Sequence, residues 1–334
     1  MNMSTRELTF AQAIREALDE ELARDERIVL FGEDIGAWGG VFRTTEGLYE
    51  KYGPDRVIDT PLSEEGYVGM AVGIAMTGMH PVPEIMFGDF ITLAMDQIVN
   101  QAAKMRYMTG GQVAVPITIR ATMGGGRSSG AQHSQSWHAW FAHVPGLKVV
   151  VPSTPYDAKG LLKTALRDPN PVVFFEDKVM YHKIKGPVPE EEYLIPFGVA
   201  DIKREGKDVT IIALSRMVHT ALAAAERLAQ EGISAEVVDP RTLTPLDEET
   251  LVQSVCKTGG AVIVDEGYTR FGITAELAAV IAKGAFDYLD APIERVGAFD
   301  VPIPFSPPLE FATIPDEERI VQAVYRILEG RRPQ

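Results

Sequence analysis

The sequence is poor in cysteine, in long apolar runs and in positive charge, and each shortage excludes something. Cys256 is the one thiol in 334 residues, so no disulfide can close within the chain. It lies in a stretch of helical composition, residues 248–257, with nothing electropositive close to it. That setting suits a small core or surface thiol better than a reactive one. No apolar run approaches the roughly 20 residues of a membrane-spanning helix. The opening MNMSTRELTF has no apolar stretch of signal-peptide length. A soluble protein of a reducing compartment is expected, in a bacterial cytoplasm by preference or in an organelle matrix after processing. Lys and Arg number 32 against 47 Asp and Glu, a formal net charge of −15. Phosphate backbones need clustered cations, so nucleic acid is a poor partner, and anionic membranes are disfavoured too.

Familiar chemical motifs are absent as well. There is no G-x-G-x-x-G after a strand and no P-loop. The six histidines are scattered, without metal-ligand spacing. No G-x-S-x-G elbow marks a hydrolase.

What the chain does have is an alternation of apolar patterns. Thr9 and Gln12 form a capping-box pair ahead of Phe10, Ile14, Leu18 and Leu22, which predicts an amphipathic helix over 9–24. Strands are predicted at 27–31, 81–86, 115–122, 147–151 and 171–176. Helices are predicted at 64–79, 90–108 and 156–167. Gly66, Gly69 and Gly73 recur on one helix, where each glycine costs about 1 kcal/mol in an exposed interior. Their spacing suggests that another backbone packs close to that helix. Prolines and glutamates at 183–207 read as a linker. Strands at 209–214, 235–239, 261–265 and 293–296 then alternate with helices at 218–230, 247–257, 274–283 and 316–328. The pattern predicts two layered α/β domains.

Ligands of open α/β sheets bind at the carboxyl ends of strands. The polar segments in such places are 32–34, 87–90, 124–135 and 266–270. Several longer strings can be set beside them: 59–66 (DTPLSEEG), 84–90 (EIMFGDF), 96–100 (DQIVN), 132–135 (QHSQ), 145–150 (PGLKVV), 152–160 (PSTPYDAKG) and 239–242 (DPRT). Together they resemble the β subunits of thiamine-diphosphate-dependent 2-oxo acid dehydrogenases, in the pyruvate, branched-chain 2-oxo acid and acetoin complexes. These belong to the transketolase-like superfamily. The similarity runs in order from about residue 8 to about residue 328.

The resemblance implies a division of labour. Glu64 becomes the carboxylate that hydrogen-bonds an aminopyrimidine nitrogen of thiamine diphosphate, a task suited to a desolvated carboxyl of raised pKa. Glu65 keeps an ordinary helix-start role. Phe90 packs on the pyrimidine ring, with Met86 and Glu33 also at the cofactor. Glu33, Glu84 and Asp96 are expected to be buried acids near its pyrimidine end. His133 faces the substrate side and assists acyl transfer to a lipoyl arm, since histidine exchanges protons near neutral pH. His138 and His143 read as structural. A structural potassium ion is implied at the backbone carbonyls of Ile117, Ala165, Leu166, Asp168 and Asn170, where helix-end carbonyls make natural ligands for a hard cation.

Thiamine enzymes hold the diphosphate through Mg2+ with a Gly-Asp-Gly triplet, and this chain has none. The resemblance therefore places Mg2+ and the diphosphate half on an α subunit, in an α2β2 heterotetramer that serves a lipoyl-bearing dihydrolipoyl acyltransferase core. The expected domains are a pyrimidine-binding domain at 1–185, a linker at 186–204 and a transketolase C-terminal domain at 205–334. The expected activity is oxidative decarboxylation of pyruvate or a branched-chain 2-oxo acid, with reductive acylation of a lipoyl group. An acetoin-cleaving enzyme is the alternative, supported by 174–178 (FFEDK), 200–206 (ADIKREG) and 301–306 (VPIPFS) but not by the short loop at 35–40. A non-catalytic scaffold is disfavoured by the presence of Glu64, Phe90 and His133 together.

Overall fold

The computed structural model describes residues 5–331. They form two compact units. The first comprises the described residues up to Met123 together with Trp140–Phe197, and the second Gly124–Ala139 together with the chain from Gly198 on.

In the first unit, Thr9 starts the helix Phe10–Arg24 as its pattern predicts. Thr9 Oγ1 accepts from the Gln12 N–H at 3.1 Å, and Gln12 Oε1 accepts from the Thr9 N–H at 2.8 Å. The helix buries Phe10, Ile14, Leu18 and Leu22. Truncating one of these to alanine would cost about 2–5 kcal/mol. The strands are β1 (Thr5–Thr9), β2 (Ile28–Gly32), β3 (Val57–Asp59), β4 (His80–Ile85), β5 (Thr118–Met123), β6 (Lys148–Val150), β7 (Val172–Asp177) and β8 (Lys185–Pro189). Six of them form a parallel array in the order β6–β7–β5–β4–β2–β3. Buried on both faces, β2, β4, β5 and β7 expose no residue, which is why they read as apolar runs rather than alternations. β1 and β8 form a separate antiparallel pair.

The second unit contains β9 (Asp201–Arg204), β10 (Val209–Ala213), β11 (Ala235–Asp239), the short β12 (Thr242–Thr244), β13 (Ala261–Tyr268) and β14 (Glu294–Ala298). Its five-stranded sheet has the order β14–β13–β10–β11–β9, with only β9 antiparallel to its neighbour. The helix Glu317–Glu329, capped by Asp316, buries Ile320, Val324 and Ile327 in the same core as Val218, Ala221 and Leu228 of the helix Met217–Gln230. Both units have the layered α/β architecture expected from the alternation.

Several local expectations change. The helix predicted over 90–108 is a relay: a 3-10 turn at Gly88–Ala94, a π-helical stretch at Asp96–Ala102, then α-helix at Ala103–Met108. Gly88 supplies part of the cause. A Cβ there would lie 1.9 Å from the Thr122 carbonyl oxygen, so the backbone is pressed against β5 before a regular helix can begin. Asp96 reinforces the wider turn by accepting from Asn100 and from Gln101, four and five residues on. Asp96 was expected to be buried; it is exposed, because that turn faces it outward. The proline-rich stretch at 183–207 contains β8 and β9. The glycine helix ends at Met76. Among the described residues no second backbone packs on its glycines: Gly69 meets the Gln97 side chain, Gly66 meets only Ser63, and Gly73 faces open space. No described helix is long and apolar enough to cross a membrane.

Candidate functional site

Parallel pairing lines up the carboxyl ends of β2, β4, β5 and β7. Gly32 pairs with Glu84, Glu84 with Arg120, and Thr122 with Glu176. Glu33 follows β2 directly, and Met86 follows β4. Glu64 opens the helix Glu64–Met76. Glu33 and Glu64 are 6% and 8% exposed, whereas Glu65 faces solvent. One strand-end loop and one helix start thus bring two buried carboxylates together.

The electrostatics of this group are unusual. Glu33 Oε1 is buried with no hydrogen-bond partner among the described residues. Burial, with Glu64 and Asp34 nearby, pushes its carboxyl up to about 7. Tyr67, whose hydroxyl donates to the Glu84 carbonyl at 3.3 Å, is raised well above its ordinary range by burial and by Glu33, Glu64 and Glu84. Two nearby acids of which one holds a proton near neutrality are what a proton-handling site requires. The pair also fits an aminopyrimidine, whose N–H groups can donate to a carboxylate and whose ring nitrogen can accept from a carboxylic acid. The orphaned Glu33 oxygen is the observation that supports this fit.

Below the carboxylates lies an ion cluster that the sequence reading did not single out. Arg120 donates to Glu176 through Nε and Nη2, at 2.7 and 2.8 Å, and to Glu84 through Nη1. Tyr181 donates to Glu176 at 2.6 Å, and Thr44 to Glu84 at 3.1 Å. The signal was present: an arginine inside the apolar strand 115–122, with a glutamate near the end of each flanking strand, Glu84 and Glu176. A charge so placed must be paired.

The turn carrying Met86 and Phe90 is pinned to β5. Thr122 Oγ1 donates to the Met86 carbonyl at 2.8 Å and accepts from the Gly88 N–H at 3.3 Å. The Phe90 N–H returns to the Phe87 carbonyl at 3.0 Å. Met86 and Phe90 are half-buried, so each keeps an accessible face. His133 belongs to the other unit, in the 3-10 turn Ala131–His133, and is also half-buried.

The five candidate cation ligands cluster where the helix Pro155–Ala165 ends beside β5 and β7. The Ile117 carbonyl accepts from the Val172 N–H. The Ala165 carbonyl accepts from both the Asp168 N–H and Thr118 Oγ1, each at 3.1 Å. Among the described residues no hydrogen bond reaches the carbonyls of Leu166, Asp168 or Asn170. Three unclaimed carbonyls on one turn fit a hard monovalent cation; Ala165, with two donors already, fits least. No group of three or more His, Cys, Asp or Glu among the described residues is placed to hold a metal ion.

Known proteins share the two-domain organisation of this chain. The family described as "Transketolase, pyrimidine binding domain" matches residues 6–183, and "Transketolase, C-terminal domain" matches 198–320. The β subunit of acetoin:2,6-dichlorophenolindophenol oxidoreductase from Bacillus subtilis is 49% identical, over 97% of this chain and 98% of its own. The mitochondrial pyruvate dehydrogenase E1 component subunit beta of Dictyostelium discoideum is 48% identical, over 98% and 93%. The 2-oxoisovalerate dehydrogenase subunit beta of Bacillus subtilis is 47% identical, over 96% and 99%. A solved structure described as a split gene transketolase, inactive beta4 tetramer, aligns with a TM-score of 0.77 at 26% identity, covering 97% of this chain and 99% of that one. The chain therefore belongs to the transketolase-like family that contains the β subunits of pyruvate, 2-oxoisovalerate and acetoin dehydrogenases.

Proposed function

We propose that this chain is the β subunit of a thiamine-diphosphate-dependent 2-oxo acid dehydrogenase, working on pyruvate or a branched-chain 2-oxo acid in an α2β2 heterotetramer. The observation that carries the reading is the buried pair of Glu33, after a strand end, and Glu64, at a helix start, with the Glu33 carboxyl raised to about 7. Bound thiamine diphosphate supplies a nucleophilic thiazolium carbon and accepts the charge left when CO2 departs. Glu64 hydrogen-bonds the pyrimidine ring nitrogen and holds or shares its proton. Glu33 holds the second proton nearby, and Met86 and Phe90 give the ring an apolar seat. His133 delivers a proton to one lipoyl sulfur as the other bonds to the acyl carbon and the S–S bond opens. Mg2+ and the diphosphate belong to the α subunit, and the carbonyls at 166–170 hold K+. The lipoyl-bearing acyltransferase core receives the acyl group. The working compartment is a bacterial cytoplasm or an organelle matrix.

A second reading is an acetoin-cleaving enzyme, favoured by the 49% identity to the Bacillus subtilis acetoin subunit. One methylene is worth only about 1–3 kcal/mol in a hydrophobic pocket, so turnover of a panel of pyruvate, branched-chain 2-oxo acids and acetoin by the assembly with its α partner decides between the two.

The catalytic reading is tested with Glu64→Gln, which keeps shape and removes the acid. Deuterium exchange at the thiazolium carbon should slow by orders of magnitude in the folded assembly. Unchanged exchange would overturn the role of Glu64.

A further inference from the structure

The glycine-serine loop that leads to His133 has no strand pairing of its own. It is held instead by acids from distant parts of its own unit. Glu310, fully buried in the helix Pro307–Thr313, accepts from the Gly126 N–H at 2.7 Å, the Ser128 N–H at 2.8 Å and Ser128 Oγ at 3.2 Å. Glu266 accepts from the Gly125 N–H and is itself gripped by Arg216. Asp265 meets His138 Nε2 at 2.9 Å at the far end of the segment. Thus the backbone N–H groups of Gly125, Gly126 and Ser128 and the histidine that closes the segment all meet carboxylates.

Two features mark this as a built device. β13 loses its regular register between Val264 and Tyr268, where Asp265 and Glu266 sit. A bulge re-aims side chains, and here both acids are turned to one loop. The second feature concerns Glu310. Its hydrogen-bond partners are all loop donors, and no cation pairs with it among the described residues. A buried carboxylate without a cation is costly unless hydrogen bonds satisfy it, so Glu310 and the loop are mutually dependent. The loop conformation is itself demanding. Ser128 has φ +55° and Gly126 φ +95°, and such left-handed backbone persists in a serine only where its surroundings impose it.

We propose that Glu310 and Glu266, with the Asp265–His138 pair, form a carboxylate clamp that positions the His133 loop, making them positioning residues for acyl transfer. The catalytic part of the inference rests on the proposed role of His133; the loop-ordering part does not.

The two parts are separated by two measurements. Arg127 is exposed within the loop, so trypsin cleavage after it reports loop opening in the full-length chain. Glu310→Ala should accelerate that cleavage about tenfold or more, relative to cleavage at Arg43 in the same chain. Glu310→Gln preserves volume and keeps the protein folded while placing an amide N–H2 against a donor, and should accelerate it too. In the assembly with the α partner, both variants should lower lipoyl-dependent turnover by about ten- to a hundredfold, yet leave decarboxylation with an artificial electron acceptor within about threefold. Combined with His133→Ala they should add nothing. Unchanged cleavage at Arg127 overturns the clamp, and cleavage that rises while lipoyl transfer persists overturns its positioning of His133. If His133→Ala alone leaves lipoyl transfer intact, the role of His133 fails, and the clamp is then judged by cleavage.

Discussion

Arg120 and Glu176 face each other through two parallel hydrogen bonds, at 2.7 and 2.8 Å, with side chains only 2% and 1% exposed. Burial disfavours the cation, but Glu176 and Glu84 overcome that and hold Arg120 above its ordinary range. Burial also raises Glu176; with a forked guanidinium and the Tyr181 hydroxyl on it, the carboxylate is the form that this geometry serves. Arg120→Met would leave two buried carboxylates facing each other without a cation. Losing one partner of a buried pair costs about 3–5 kcal/mol, so the urea midpoint of the chain should fall sharply. Arg120→Lys keeps the charge but cannot fork, and should fall in between. A midpoint unmoved by Arg120→Met would show that the cluster has no share in stability.

Glu33 gives a pH prediction. Its carboxyl is raised from 4.5 to about 7 in the fold, so the folded chain binds the proton more tightly than the unfolded chain does. Stability from this group is fully present below the unfolded pKa and is lost as pH rises through the folded one, across the window from about 4.5 to about 7. Glu33→Gln is neutral throughout and should remove that slope. Urea unfolding of both chains at about pH 5 and about pH 8 measures it, and the variant should gain on the parent at the higher pH. Parallel pH profiles would show that Glu33 does not titrate in this window.

The cation site makes a third prediction. If K+ is held by the carbonyls of Leu166, Asp168 and Asn170, replacing it with tetramethylammonium should lower the melting temperature. An ion present at about a hundred times its Kd contributes roughly 2.7 kcal/mol. An unchanged melting temperature, with no anomalous peak beside this turn in crystals grown with a heavier monovalent cation, would remove the site.

The parts of the molecule that could be read in sequence are those whose cause is local. The Thr9–Gln12 box announces its helix because both partners lie within one turn. The buried strands show as apolar runs because parallel sheets hide both faces. The 88–108 relay was missed because its cause, the Thr122 carbonyl beneath Gly88, comes from another strand. Glu64 was legible in its motif and Glu33 in the polar segment after a strand, yet the proton affinity of Glu33 arises first from burial in the fold and then from Glu64, 31 positions away. Glu310 carried no signal at all, since its partners lie 184 and 182 positions earlier.

That last separation has a temporal consequence. The 124–139 segment leaves the ribosome in the middle of the first unit, but the acids that hold it are encoded near the end. At roughly 5–20 residues per second, about 9–36 s of synthesis pass between Ser128 and Glu310. During that interval the strands on either side of the segment can pair, while the N–H groups of Gly126 and Ser128 wait for Glu310. The nascent chain therefore holds Glu33 and Glu64 well before it can set the histidine loop, which waits for an acid made 182 residues after Ser128.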